Sequence, residues 1–283
     1  TKYFVSLGYF SQDGAYKMGD FFDDFSANPK YNRYNIRSNV DFQVNKDFLL
    51  SVKAGAQIIE SNYASSSAST IMGTIYSANP VCSPVVVDNM IIRNVQGLEK
   101  WMISNTPLYE MLSKGNNENF SSNVNIDLSA KYKLDRLLKG LSVRAKLAYD
   151  NYYLQMITRT KQIPMYDIFV DPSSTGGIKK PIYVANTYEG PVKMGSDSYS
   201  KNRRIYNEAA LEYSNGFKGH NISMLLLGTI ERKYSGGNEL PYNYMGLVAR
   251  ATYNFESRYL FEFNAGYNGS ENFYKKKQFG FFP

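Results

Sequence analysis

The sequence predicts an all-β fold: an antiparallel, up-and-down transmembrane β-barrel, present as a partial barrel of about nine strands with long extracellular loops. Three observations predict it. Apolar and polar residues alternate through long stretches, tight and long connections alternate between those stretches, and no apolar run approaches the roughly 20 residues of a spanning helix. The longest such runs are four residues, as at 224–227. Barrel strands escape that length requirement, because each lipid-facing side chain is followed by a polar one.

Along the chain, Tyr3, Val5, Leu7 and Tyr9 share one side against Ser6 and Gly8. In residues 34–45 the even positions, from Tyr34 and Ile36 to Val44, are apolar in five of six cases, and every odd position is polar. Leu50, Val52, Ala54, Ala56 and Ile58 oppose Ser51, Lys53, Gly55 and Gln57. Residues 120–134 keep seven of eight even positions apolar, Val124, Ile126 and Leu128 among them. Leu141, Val143, Ala145, Leu147 and Tyr149 oppose Ser142, Arg144, Lys146 and Asp150. Shorter runs follow at 209–213 and 222–230, then longer ones at 245–255 and 259–267. Successive side chains on a strand point to opposite faces, so each segment has one apolar face and one wet face.

The connections sort into two kinds. Those near 45–47, 135–140, 215–219 and 256–258 are tight, whereas those near 13–30, 61–118, 158–201 and 233–243 are long. Short turns on one edge and long loops on the other build an outer-membrane barrel, with the short turns periplasmic. A soluble sandwich also alternates along its strands, but it would not keep that asymmetry over nine of them. Such barrels usually close with an even strand number, so nine strands followed by the apolar residues 279–283 read as a piece of a larger barrel. Within the loops, residues 64–70 are small and Ser-rich and read as flexible surface. Thr106, Pro107 and Gly115 supply cap, first-turn proline and stop for a short helix. Its Leu108, Tyr109, Met111 and Leu112 are expected to pack on the loop with Trp101.

Composition narrows the function. With 43% hydrophobic residues and a mean hydropathy of −0.41, the chain is neither a disordered polyampholyte nor a helical membrane protein. Net charge is +7, but the basic residues are scattered and Lys275, Lys276 and Lys277 read as a solvated rim, so no nucleic-acid partner is expected. Cys82 has no partner for a disulfide and reads as a small apolar loop residue. His220 is the sole histidine and lies at a tight turn, which leaves no convincing triad or His-rich metal site. Asp13, Asp20, Asp23 and Asp24 have the chemistry for calcium, but their spacing is not that of an EF-hand, and a solvated acidic loop is the expectation. No phosphate-binding or dinucleotide fingerprint appears. Catalytic, cofactor and metal sites are therefore expected to be absent, and substrate contacts are not readable.

The strings themselves carry a family resemblance. LPYNYMGLVARATYNFESRYLFEFNAGYNGSENF at 240–273, FGFFP ending at Pro283, YFVSLGYFSQDG from Tyr3 and YNRYNIRSNVDFQVNKDFLLSVKAGA from Tyr31 resemble SusC/RagA-type TonB-linked outer-membrane transporters. The resemblance implies a Gram-negative outer membrane, a large barrel closed by an N-terminal plug, and a TonB box that engages the TonB–ExbB–ExbD complex. It also implies a SusD-like surface lipoprotein as lid, with oligosaccharides or peptides as cargo and no enzymatic activity. The plug, the TonB box and the terminal strands have no counterpart among residues 1–283, which are read as one barrel segment. A barrel of that size has a lumen too wide for side chains to fill. Arg37, Asp41, Lys53, Asp127, Lys146, Arg250 and Glu262 would face it, chiefly as salt-bridge partners of a plug. Tyr3, Tyr132, Tyr149 and Tyr259 suit interfacial girdles. Tyr63, Trp101, Tyr109 and Tyr188 could stack on sugars or pack under the lid.

Two other classes compete: a passive porin or adhesion barrel without energy coupling, and a soluble β-rich binding module. The register itself is testable. Leu128→Arg or Val143→Arg should impair membrane assembly, at a cost of about 2–4 kcal/mol at the bilayer midplane; unchanged assembly on heat-modifiability gels would reject the assigned faces.

Overall fold

The computed structural model describes residues 1–16, 26–79, 86–97, 106–170, 181–236 and 240–283. Asp20, Asp23, Asp24, Cys82, Trp101 and the turn-rich stretch 171–177 lie outside the described residues. In chain order the elements are β1 (Lys2–Asp13), β2 (Lys30–Gln43), β3 (Phe48–Ala64), α1 (Ala68–Ser77), β4 (Val86–Val87), β5 (Met90–Val95) and α2 (Pro107–Ser113). There follow β6 (Asn116–Lys133), β7 (Leu141–Thr160), β8 (Met165–Val170), β9 (Pro181–Thr187), β10 (Lys193–Phe217), β11 (His220–Tyr234), β12 (Tyr242–Phe255), β13 (Tyr259–Ser270) and β14 (Phe279–Phe282).

Ten of these strands form one antiparallel sheet, in the order β1-β2-β3-β6-β7-β10-β11-β12-β13-β14. The nine segments expected from alternation all belong to it. The tenth strand is β14, which pairs with β13 from Gly266↔Phe282 to Gly269↔Phe279. The residues read as a severed end are therefore a strand, too short for alternation to reveal. The sheet is open between β1 and β14.

Register sets the faces. Directly opposed residues share a face, and one ladder runs Tyr3, Val40, Val52, Leu128, Leu147 across β1, β2, β3, β6 and β7. A neighbouring ladder runs Lys53, Asp127, Ala148, Tyr206, Glu231 across β3, β6, β7, β10 and β11. The apolar face is uncovered: Leu7 is 75% exposed, Leu147 52% and Leu128 38%. No second layer of the described residues lies over Ile126 or Leu128.

Several strands outrun their alternation. β6, β7 and β10 have 18, 20 and 25 residues, against the roughly 9–11 that cross a bilayer. Residues 193–201, read as connection, begin β10, and β7 continues to Thr160. In these extensions both faces are wet, so side-chain polarity no longer alternates while backbone pairing continues. Asp197 opposes Ile157 and Ser198 opposes Met156 in such a stretch.

The buried core lies in the long connections. Ala27, Ala64, Ile71, Ile91, Leu108, Met111, Leu112, Ile163 and Met165 cluster there, with Tyr16 and Tyr109 packed against them. The predicted loop helix is α2: Thr106 Oγ1 accepts from Tyr109 N–H (3.2 Å), and Pro107 opens the first turn. Gly115 ends it at φ +78°, where an added Cβ would meet the Arg159 carbonyl. The Ser-rich stretch read as flexible surface instead caps α1, since Ser67 Oγ accepts from Thr70 N–H at 3.1 Å. A small four-stranded sheet, β4-β5-β8-β9, was not anticipated. Its strands have two to seven residues and include a parallel pair, β5 with β8, whose two members come from different loops. Local pattern does not encode such a pairing.

Short turns hold the other edge. Lys218 and Gly219, both at positive φ, join β10 to β11. Gly140, at φ +88°, ends the β6–β7 turn, and its carbonyl accepts from Ser214 N–H at 2.9 Å. An added Cβ there would meet Ser214 O at 2.0 Å. Gly140→Ala should therefore destabilise the folded barrel by about 1–3 kcal/mol, read as a lower denaturation midpoint in detergent; an unchanged midpoint would disprove the strained turn.

Candidate functional site

The polar face of the sheet gathers the charged residues into a wall. Arg204 on β10 reaches Asp150 on β7 (Nη1 to Oδ2, 3.0 Å) and Glu231 on β11 (Nε to Oε1, 3.0 Å). Asp150 also accepts from Asn125 Nδ2 at 2.7 Å, and Lys233 Nζ lies 2.8 Å from Glu231. Nearer the short turns, Glu212 receives Lys131 Nζ (2.6 Å) and Arg144 Nε (3.0 Å), and Arg144 Nη1 lies 2.5 Å from Glu208. Lys146 pairs with Asp127 at 3.1 Å, and Arg250 with Glu262 at 3.1 Å. Most of these pairs join neighbouring strands; Lys131–Glu212 reaches from β6 across β7 to β10, and Lys233–Glu231 lies within β11. All are partly exposed and screened by solvent, so their main effect is to fix side-chain positions.

Where the wall is concave, Arg37, Asn39, Lys53, Asn125, Asp127 and Arg204 border a volume of about 570 Å³. Four of the seven residues expected to face the lumen meet here: Arg37, Lys53, Asp127 and Lys146. Arg250 and Glu262 form their own pair on β12 and β13, and Asp41 sits opposite Lys2 and Ser51. The sequence-expected partner of these charges is a plug; the partners observed are on adjacent strands of the same wall. Arg37 and Lys53 have no carboxylate partner among the described residues. Arg204, Glu208, Glu212 and Glu231 were not anticipated, although charge recurring at 204, 208 and 212 is itself an even-spaced, one-face signal.

The girdle tyrosines take the expected face. Tyr132 packs on Phe48 with ring centroids 6.2 Å apart, and Tyr259 stacks on Phe255 at 6.4 Å. Tyr3 is 81% exposed, and Tyr149 lies beside Ile126 in register. His220 belongs to the same band: its Nδ1 is 2.7 Å from the Tyr253 hydroxyl, between Phe217 and Phe255. The three loop aromatics among the described residues do not assemble. Tyr109 packs on the loop core, Tyr63 Oη accepts from Asn119 Nδ2 (3.2 Å), and Tyr188 is exposed. Asp13 ends β1 opposite Lys30.

On the long-loop edge, Arg93 of β5 grips Asp167 of β8 with two bonds, Nε to Oδ1 at 3.0 Å and Nη2 to Oδ2 at 2.8 Å. The bond to Asp167 raises the Arg93 pKa further above its ordinary value. Asn186 of β9 donates to the same carboxylate at 3.4 Å. Tyr183 donates to Asp88 at 2.8 Å, which raises the phenol above its usual range. Bidentate guanidinium–carboxylate pairs are the strong, orienting kind, so two separate loops are clamped into one sheet.

No protein-family model and no curated protein matches this sequence. Solved structures do match its fold. The chain is similar to the RagAB peptide transporter (TM-score 0.54, 14% identity) and to the RagAB peptide importer in its open-open state (TM-score 0.59, 15% identity). Each match covers 99% of this chain and 31% of the other, so the chain spans less than a third of those relatives' length. At such identity the likeness establishes a shared fold.

The loop clamp has a direct test. Asp167→Ala leaves Arg93 without its carboxylate and should weaken the β5–β8 pairing by about 1–3 kcal/mol. Faster amide exchange in β5 and β8, with the ten-stranded sheet unaffected, is expected; unchanged exchange would show that the clamp holds nothing.

Proposed function

We propose that this chain is part of the barrel wall of an outer-membrane nutrient importer of the SusC/RagA type. One observation carries the reading: an uncovered apolar face backs an ion-paired polar face, in a single antiparallel sheet whose long connections all leave by one edge. A soluble sandwich would cover Ile126, Leu128 and Val143 with a second sheet. In a bilayer those residues meet acyl chains, and the charged face meets a hydrated lumen.

In this reading the long-loop edge faces outward and receives a SusD-like lipoprotein. Energy arrives from the TonB–ExbB–ExbD complex through segments beyond residues 1–283, and the wall itself has no catalytic role. The open edges of β1 and β14 pair with further strands, since unpaired amides cannot face lipid. Arg37 and Lys53 leave positive charge free on the wall, which suits carboxylates of a plug or of cargo. The cargo in this reading is oligosaccharide or peptide, and peptide is tried first because the similar solved structures are of a peptide importer.

Deleting the encoding gene should abolish uptake of labelled oligopeptides, with restoration by a plasmid copy and loss again when the inner membrane is de-energised. Uptake that survives de-energisation would instead mark a passive porin, and uptake unaffected by deletion would refute the importer.

A further inference from the structure

A second set of cations stands apart from the ion-paired wall. Lys46, Lys133, Arg136, Lys139, Lys218 and Arg258 crowd the four short turns, opposed by only Asp47, Asp135 and Glu256. All six are exposed, and none has an ion-pair partner among the described residues. One oxygen of the Asp135 carboxylate is taken by the turn itself, accepting from Gly140 N–H at 2.8 Å.

Between Arg136 and Lys139 stand Leu137 and Leu138, 79% and 50% exposed. Their turn is ordered. The N–H groups of both leucines bond to Leu134 O (2.8 and 3.0 Å), Leu141 N–H bonds to Leu138 O (3.0 Å), and Ser214 N–H anchors Gly140. Two leucines are thus held out, flanked by cations, at the end of a face that is already apolar. The aromatic band of Phe48, Tyr132, Phe217, His220, Phe255 and Tyr259 borders the same edge. Such rings settle at headgroup level.

We infer that the short-turn edge binds anionic phospholipid of the periplasmic leaflet: Leu137 and Leu138 enter the acyl region while Arg136, Lys139 and neighbouring cations hold the headgroup phosphate. The inference rests on the outer-membrane reading above. Excess positive charge selects the anionic headgroup, and the leucines select a lipid over free phosphate. Continuity with the aromatic band favours membrane over a periplasmic protein.

The test uses the full-length protein extracted from outer membranes and reconstituted in nanodiscs of phosphatidylethanolamine with a minor share of phosphatidylglycerol. Native mass spectrometry then counts retained lipids. Phosphatidylglycerol should be retained beyond its bulk share. Arg136→Gln with Lys139→Gln should cut that enrichment by about fivefold per charge removed, leaving phosphatidylethanolamine unchanged. Leu137→Ser with Leu138→Ser should lower both lipids. Heat-modifiable gel mobility confirms that each variant is assembled. An assembled, membrane-embedded protein that retains lipids in bulk proportion, or a charge variant with wild-type enrichment, overturns the lipid site alone. So does a photocrosslinker replacing Leu137 that captures a periplasmic protein and no lipid. Recovery of the protein in the soluble fraction overturns the outer-membrane reading and the lipid site with it.

Discussion

The structure depends on one continuous antiparallel backbone ladder. Ten strands exchange amide hydrogen bonds from β1 to β14, and that ladder holds the sheet together without a core beneath it. Side chains on neither face cluster into a buried interior: Leu147 and Met224 are about half exposed on one face, and the charges stand on the other. In water such a sheet would be a poor solution, because its largest apolar surface would stay hydrated. In a bilayer the same surface is solvated by acyl chains, and paired amides are the condition for entry.

The usual division of labour in a globular fold is therefore reversed. Among the described residues, packing that resembles a protein interior is found in the connections, where α1, α2, the end of β3, β5 and the start of β8 bring together Ile71, Leu108, Leu112 and Ile163. Helix caps at Ser67 and Thr106 and the Arg93–Asp167 clamp order these connections locally. At the opposite edge, turn geometry at Gly140 and Lys218–Gly219 supplies the order with almost no buried surface.

The charged wall follows from the same constraint. Alternation that places Leu128 and Leu147 outward forces Asp127 and Lys146 inward, and adjacent strands then present opposite charges within reach. Pairing neutralises most of the wall. Among the described residues Arg37 and Lys53 have no carboxylate partner, nor do the cations of the short turns, which separates charge that holds strands together from charge available to a ligand.

The sequence alone determined the fold class, the faces of the alternating segments in nine strands, the alternation of short and long connections, and helix α2 with its cap. All of these are local: period two, turn residues and capping spacing report on neighbours within a few positions. It also placed part of the charged face, Asp127 and Lys146 among it, but neither Arg204, Glu208, Glu212 and Glu231 nor the partners of any of these charges. The tertiary structure decided the rest. It brought Arg204 between Asp150 and Glu231, extended β7 and β10 where both faces are wet, made a strand of 279–282, and joined β5 to β8 across more than seventy residues of chain. Those features depend on which strands become neighbours, and pairing between distant segments leaves no periodic trace in either one.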